Sequence, residues 1–451
     1  MKRFVLLLVL LLSLGLVAAQ CGGANPPAAK EAAKEAPKEE AKEAAKEESK
    51  ETAKEAAAPS GKEVNVVIGF TASKTGEQEV PSSGQTRGLE SWLESVKAGI
   101  TLADGTVVKF TAVSYDDESK KERVQQLYTK LINEDKADFL ISPYSSGLAE
   151  AAAFTSEEYG KVMITTGAAS DETYKKGFKA VFQLYTPASR YLTGAIDFLA
   201  NQDPTAKKIA FVYENAKFST DVVEAAKVYA TSKGYEVVMA EGYDPKTTDF
   251  APFINKIAAS KPDAIMGGGH FNDGTSFARQ LSEKQIPIKA VVLLVAPPEL
   301  KFAEVGDAAI GIIGPSQWEP GANYTAEAAK AAGMEWYGLT VPDFIKLYQA
   351  KHNEEPSYHA AGGYAAGLLL QNAIETAGST DQEKVKEVMN KMNLLTFYGA
   401  IKFNTTAETH GLQDTHSMVY IQWQKGADGK LVKQVIWPLE GKSADPIYPV
   451  R

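Results

Sequence analysis

From Val64 onward the chain alternates short β-branched runs with amphipathic stretches, and this rhythm constrains the fold more than any other feature. Residues 64–70, 109–115, 137–141 and 161–165 read as strands. Between them lie helical patterns over 85–98, 119–133 and 149–159, with Val124, Leu127, Leu131 and Ile132 marking the buried stripe of the second. The rhythm resumes after a strand over 181–185. Helices are expected at 187–200, 219–233, 249–259 and 275–284, and strands at 208–213, 235–240, 263–266, 290–295 and 309–314. Strand followed by helix, repeated in this way, produces parallel sheets covered on both faces. Two such series meeting near residue 185 predict an α/β protein of two doubly wound parallel-sheet lobes. Helices over 341–351 and 360–376 rejoin the first lobe, and the strand-rich end completes the second. The expected boundaries are 63–185 plus 318–395 for lobe one and 186–317 plus 396–440 for lobe two.

The amino-terminal residues follow different rules. Met1-Lys2-Arg3 is basic, and 4–19 is an apolar run too short for the ~20 residues a spanning helix needs. With Ala18-Ala19 behind it, the stretch 1–20 reads as a signal peptide, so the protein is exported. Cys21 is the single cysteine, which excludes an intrachain disulfide and a multi-cysteine metal site. Leu16-Val17-Ala18-Ala19-Gln20-Cys21 resembles a bacterial lipoprotein signal, which implies a lipid anchor on Cys21 holding the protein to a bacterial membrane. Gln20 departs from the Gly, Ala or Ser of that pattern, and cleavage after Ala19 with a free thiol is the alternative. Residues 21–62 form a Lys/Glu/Ala-rich spacer. Lysines at 30, 34, 38, 42, 46, 50 and 54 lie three residues after or directly before glutamates, so opposite charges sit on adjacent helical turns.

The formal charge of −9 and the pI near 5.4 leave no basic surface for nucleic acid and favour a soluble monomer. Enzyme signatures are missing. There is no Gly-x-Ser-x-Gly elbow, Walker loop or His-Glu-x-x-His, and Gly267-Gly268-Gly269 loses dinucleotide-binding spacing at Asn272. The histidines (270, 352, 359, 410 and 416) are scattered without metal-ligand spacing. Asp116-Asp117 and Glu157-Glu158 read as capping and solvated pairs. No catalytic residue, metal or cofactor is expected.

Three stretches carry a resemblance: 142–147 (Ser-Pro-Tyr-Ser-Ser-Gly), 164–170 (Ile-Thr-Thr-Gly-Ala-Ala-Ser), and 243–250 continuing to Lys261-Pro262-Asp263-Ala264. In that order and spacing the chain resembles the leucine/isoleucine/valine-type substrate-binding proteins of ABC transporters, which have the type I periplasmic binding fold. The resemblance implies two lobes joined by a three-strand hinge, a small-molecule ligand such as an amino acid between them, and ABC permease and ATPase subunits as partners. A ligand sensor for an amide or organic acid, acting with a separate signalling partner, is the alternative on the same fold.

Tyr144, Ser145 and Ser146 fall between a predicted strand and a helix, where sheets of this kind bind ligands. Ala168, Ala169 and Ser170 occupy the same place on the next strand. The resemblance implies that Ser145, the Ala168 backbone and Ser170 hold a carboxylate, although simple helix capping is open to these serines. It also implies ring contacts from Phe218 and His270, and places Gln317 and Trp318 where hinge and pocket meet. Tyr364, on a small-residue helix face, is open to core or pocket. The amino-acid binders carry a glutamate for the ammonium on a loop that here reads Leu293-Leu294-Val295-Ala296-Pro297-Pro298-Glu299, with Glu299 several residues late. An amide, a carboxylate without an amine and a hydrophobic acid therefore stand beside a free amino acid as ligands.

Overall fold

The structure, a computed structural model, describes residues 61–450. The expected signal peptide, Cys21 and nearly all of the spacer lie outside the described residues.

A six-stranded sheet forms first, from β1 (Glu63–Ala72), β2 (Ile100–Thr101), β3 (Val107–Asp116), β4 (Phe139–Ile141), β5 (Met163–Thr165) and β6 (Val181–Gln183), in the order β2-β3-β1-β4-β5-β6. All pairings are parallel except β2 with β3. The second sheet begins with β7 (Lys208–Glu214), β8 (Glu236–Tyr243), β9 (Ala264–Gly268), β10 (Ala290–Leu293) and β11 (Ile312–Ser316), all paired in parallel. A small separate sheet holds β12 (Glu335–Trp336), β13 (Asn393–Thr396) and β14 (Gly399–Lys402). The antiparallel strands β15 (Val419–Lys425) and β16 (Leu431–Trp437) then close the second sheet, in the order β16-β15-β11-β10-β9-β7-β8.

Each sheet is covered on both faces, as near-continuous apolar strands require. Val124, Tyr128 and Leu131 pack one face of the first sheet with Leu148 and Ala152. The other face packs against the helices Glu79–Ser95, Val341–His352 and Tyr358–Ala377. The second sheet has its own two clusters, centred on Phe211 and Val222 on one side and Phe250 and Phe277 on the other. The helices Glu79–Ser95 and Tyr358–Ala377 meet backbone to backbone, because any Cβ on Gly363 would collide with the Gln85 carbonyl. This explains the small residues around Tyr364, which is itself core: its ring packs on Phe344 and its hydroxyl meets Ser95 Oγ at 3.2 Å.

Two placements differ from expectation. Residues 397–403 were assigned to the second lobe, but Phe397, Tyr398, Ile401 and Phe403 are buried in the first lobe's cluster. The β13–β14 hairpin belongs with that core, and only β15 and β16 join the second sheet. Asp117, expected only to cap the following helix, is fully buried. It accepts the hydroxyls of Thr71 and Ser73 at 2.7 and 2.6 Å and the Ser119 amide at 2.9 Å, which compensates its charge.

The chain passes between the lobes three times, and the crossings are tied to one another. Gln317 accepts the Thr186 amide at 2.9 Å and donates to Tyr191 Oη at 2.8 Å. Gln413 donates to the Leu184 carbonyl at 3.3 Å. His416 bridges Thr186 Oγ1, at 2.8 Å, and the Tyr398 carbonyl, at 3.1 Å.

Candidate functional site

Between the lobes lies a cavity of about 10 Å3, room for a single water. Tyr144, Ser145, Ser146, Gly167, Ala169, Tyr185 and Tyr358 line it from the first lobe, and Tyr191, Phe218, His270 and Val295 from the second. The first-lobe side is built at the carboxyl ends of β4 and β5. Ser145 caps the helix Ser146–Glu158 with φ 125° and ψ 167°, a backbone region that only glycine adopts without strain. Strain of this kind clusters at binding turns. Ser146 Oγ accepts the amides of Ala169 and Ser170 at 3.0 and 3.1 Å, locking the two turns together. Gly167, at φ +69°, sits so close to the Tyr144 ring and the Gln85 amide that no side chain fits there.

The second-lobe side is aromatic. Phe218 packs edge-on against Tyr191, with ring centroids 5.1 Å apart, and lies 5.8 Å from His270. His270 caps the helix Phe271–Lys284 and meets Tyr144 of the opposite lobe at 6.0 Å. Its Nδ1 lies 2.6 Å from Glu214 Oε2. Burial pulls the His270 pKa down, but the Glu214 charge more than offsets it, and the net shift is upward. Asp273 accepts the His270 amide at 2.8 Å and the Tyr243 hydroxyl. Burial, reinforced by the nearby Glu214 charge, pushes the Asp273 carboxyl up to about 6.

The lobes are joined by polar contacts beside the cavity. Ser170 donates its hydroxyl to Asp221, whose pKa burial raises. Lys217 faces Glu150 at 3.5 Å, and buried His359 pairs with buried Glu299. A larger recess of about 330 Å3 adjoins the same seam, lined by Glu79, Arg87, Glu299 and Lys301 among others. Its arginine is already paired with Glu354 at 2.8 Å, whereas the ring-lined cavity lies at the carboxyl ends of β4 and β5, where sheets of this kind bind ligands, and is the better ligand site.

Tyr144, Ser145, Ser146, Ala169, Phe218 and His270 thus meet around one space. Ala168 and Ser170 stand behind it, the first accepting from Gln183 at 3.3 Å and the second spending its hydroxyl on Asp221. Gln317 belongs to the hinge. Trp318 is a core residue of the first lobe, with its ring on Phe344 and its indole N–H on the Phe397 carbonyl at 3.0 Å. Tyr185, Tyr191, Val295 and Tyr358 also line the cavity, beyond the residues that the sequence points to. Tyr185 ends a predicted strand, which is a usable signal, but Tyr191 and Tyr358 reach the cavity from segments whose sequence carries none. Among the described residues no group of His, Cys, Asp and Glu could hold a metal ion.

A family profile described as "Periplasmic binding protein" matches residues 65–430. The chain belongs to the periplasmic binding protein family. Among curated relatives, Leu/Ile/Val-binding protein homolog 7 of Brucella melitensis is 23% identical over 356 residues, covering 77% of this chain and 85% of the relative. Among solved structures, the leucine-binding protein LivK of Thermotoga maritima superposes with a TM-score of 0.67 at 20% identity, covering 82% of this chain and 97% of that one. LivJ of Streptococcus pneumoniae, in complex with isoleucine, gives 0.66 at 21% identity, with 83% and 100% covered. A solute-binding protein of R. palustris in complex with benzoate gives 0.66 at 21%, with 85% and 98% covered. The fold is the type I periplasmic binding fold, and the family's activity is solute binding rather than catalysis. Membership marks an exported protein that takes a small-molecule ligand. Among the described residues no helix is long and apolar enough to cross a membrane.

Proposed function

We propose that this protein is the extracytoplasmic solute-binding component of an ABC importer and captures an amino acid of the branched-chain type, or a similar small amphipathic molecule, between its lobes. The observation that carries this reading is the two-sided cavity, with hydroxyls and a helix start on one lobe and rings on the other. A donor-rich end suits a carboxylate, and a ring-lined end suits an apolar body. The ligands of two solved relatives, isoleucine and benzoate, share that division. Ser145, Ser146 and Ala169 take the polar end, and Tyr144, Phe218 and His270 the apolar one.

Residues 1–20 direct export, Cys21 carries the lipid, and the 21–62 spacer sets the receptor off the membrane so that it delivers its ligand to permease and ATPase subunits as a monomer. A thermal-shift screen over amino acids, amides and organic acids tests the ligand-binding claim, because a ligand that binds only the folded state raises its melting temperature. A screen with no stabilising compound sinks it. Labelling cells with a lipid precursor tests the anchor: incorporation is expected in the native chain and lost in Cys21→Ser.

A further inference from the structure

Five polar atoms of the first lobe, Gln85 Oε1, Thr166 Oγ1, Tyr185 Oη, His359 Nε2 and Tyr398 Oη, are buried without a hydrogen-bond partner among the described residues. Folded proteins leave few such atoms, because each forfeits its hydration and gains nothing in return. These five gather beside the cavity. Tyr185 lines it, and Thr166 and Tyr398 flank the Tyr185 hydroxyl. A Cβ on Gly362 would lie 2.8 Å from Thr166 Oγ1 and 3.0 Å from Tyr185 Oη, so that glycine keeps the space beside both hydroxyls open. A Cβ on Gly167, itself in the cavity wall, would lie 2.5 Å from Gln85 Oε1. The His359 ring packs 3.9 Å from that of Tyr358 and 4.9 Å from that of Tyr144, and both tyrosines line the cavity.

The cluster mixes donors with acceptors. Gln85 donates its Nε2 to the Ser142 carbonyl at 2.8 Å, which fixes Oε1 as a free acceptor. His359 Nδ1 is held by the Glu299 carboxylate, which only accepts, so Nε2 of the uncharged ring is a second acceptor. Burial pushes the pKa values of Tyr185 and Tyr398 well up, so both hydroxyls keep their protons and donate. The Tyr185 ring packs on those of Tyr358 and Tyr398 at 6.0 and 6.3 Å, which holds its hydroxyl in place before a ligand arrives. On the facing wall, Phe218 and Val295 have no polar side-chain atom and the Tyr191 hydroxyl is taken by Gln317 at 2.8 Å. None of the five atoms belongs to a carboxylate, ammonium or guanidinium group, so they suit a neutral group that both donates and accepts.

We propose, building on the solute-binding reading above, that the ligand carries a hydroxyl or carboxamide group on the side facing the first lobe, and that Tyr185, Thr166 and His359 distinguish it from its aliphatic isostere. The ligand is then a polar small molecule rather than one with a branched hydrocarbon side chain. A site whose buried atoms an analogue leaves unpaired rejects that analogue far more strongly than an apolar pocket rejects an added hydroxyl.

Isothermal titration of the full chain with isosteric pairs tests this: threonine against valine, asparagine against leucine, and 4-hydroxybutanoate against pentanoate. In every pair that binds, the hydroxyl or carboxamide member is expected to bind at least about tenfold more tightly. Tyr185→Phe and Thr166→Val are expected to bring that ratio down towards one. The melting temperature of the ligand-free protein should stay level or rise in both variants, because each removes a buried hydroxyl that has no partner. An aliphatic member that binds as tightly as its partner overturns this inference and leaves the solute-binding reading intact. So does a polar preference that survives both variants, since recognition then lies elsewhere. If none of the six compounds binds, the inference falls, and the wider thermal-shift screen alone judges the solute-binding reading.

Discussion

His359 of the first lobe and Glu299 of the second meet as a buried hydrogen-bonded pair across the seam between the lobes. Removing one partner leaves the other's buried polar atom without its hydrogen bond, and because this contact joins the two lobes, the loss falls on their joined state. Glu299→Ala, which removes that partner, is expected to weaken ligand binding by about tenfold and to enlarge the radius of gyration in small-angle scattering. Unchanged affinity and size would show that the pair plays no part in holding the lobes together.

Ser145 separates stability from binding. Its φ of 125° is strained for any residue with a side chain, at about 1–3 kcal/mol. Ser145→Gly relieves that strain and removes a hydroxyl from the cavity, so the melting temperature is expected to rise while affinity falls. A variant that loses stability as well contradicts the assignment of strain to this turn.

Ser146→Ala is expected to act differently. It deprives two buried amides, those of Ala169 and Ser170, of their acceptor, at about 1–3 kcal/mol for each group left unsatisfied. Stability in urea and ligand affinity are expected to fall together. A loss confined to affinity would mean that Ser146 serves the ligand alone.

Gly363→Ala probes the helix crossing far from the ligand. Its new methyl runs into the Gln85 carbonyl, and overpacking of this kind costs roughly 1–3 kcal/mol. Urea unfolding is expected to show that loss, and a neutral result would mean that the two helices separate freely.

Acid should loosen the hinge through His416. Burial lowers its pKa to about 4 in the folded protein. Below pH ~6.5 the unfolded chain takes up a proton that the folded one refuses, so stability falls with pH until about 4 and is then level, a loss of about 3 kcal/mol. Comparing urea unfolding of the native chain and His416→Gln between pH 7 and pH 4 isolates this effect. The native protein is expected to show the steeper decline, and equal slopes would remove His416 as its source.

Local rhythm carried the two-sheet architecture because doubly covered parallel strands read as short continuous apolar runs and their covering helices as period 3.6. Tyr144, Ser145, Ser146 and Ala169 were legible for a topological reason: they follow strand ends in a doubly wound sheet. Residues set by side-chain direction were not. Trp318 lies at the crossover, but its ring turns into the core against Phe344. Tyr358 opens a helix remote in the chain, and only the packing of Tyr358–Ala377 on Glu79–Ser95 delivers it to the cavity. The 397–403 hairpin shows the same limit, since strand pattern alone does not say which of two cores a strand will fill.

A space of about 10 Å3 between the joined lobes has a kinetic consequence. No solute threads its way in past Tyr144 and His270; it arrives only during the intervals when the crossings at Thr186, Gln317 and His416 let the halves swing apart. The speed of capture then has a ceiling set by the hinge, and raising the solute concentration should bring the observed rate to a plateau.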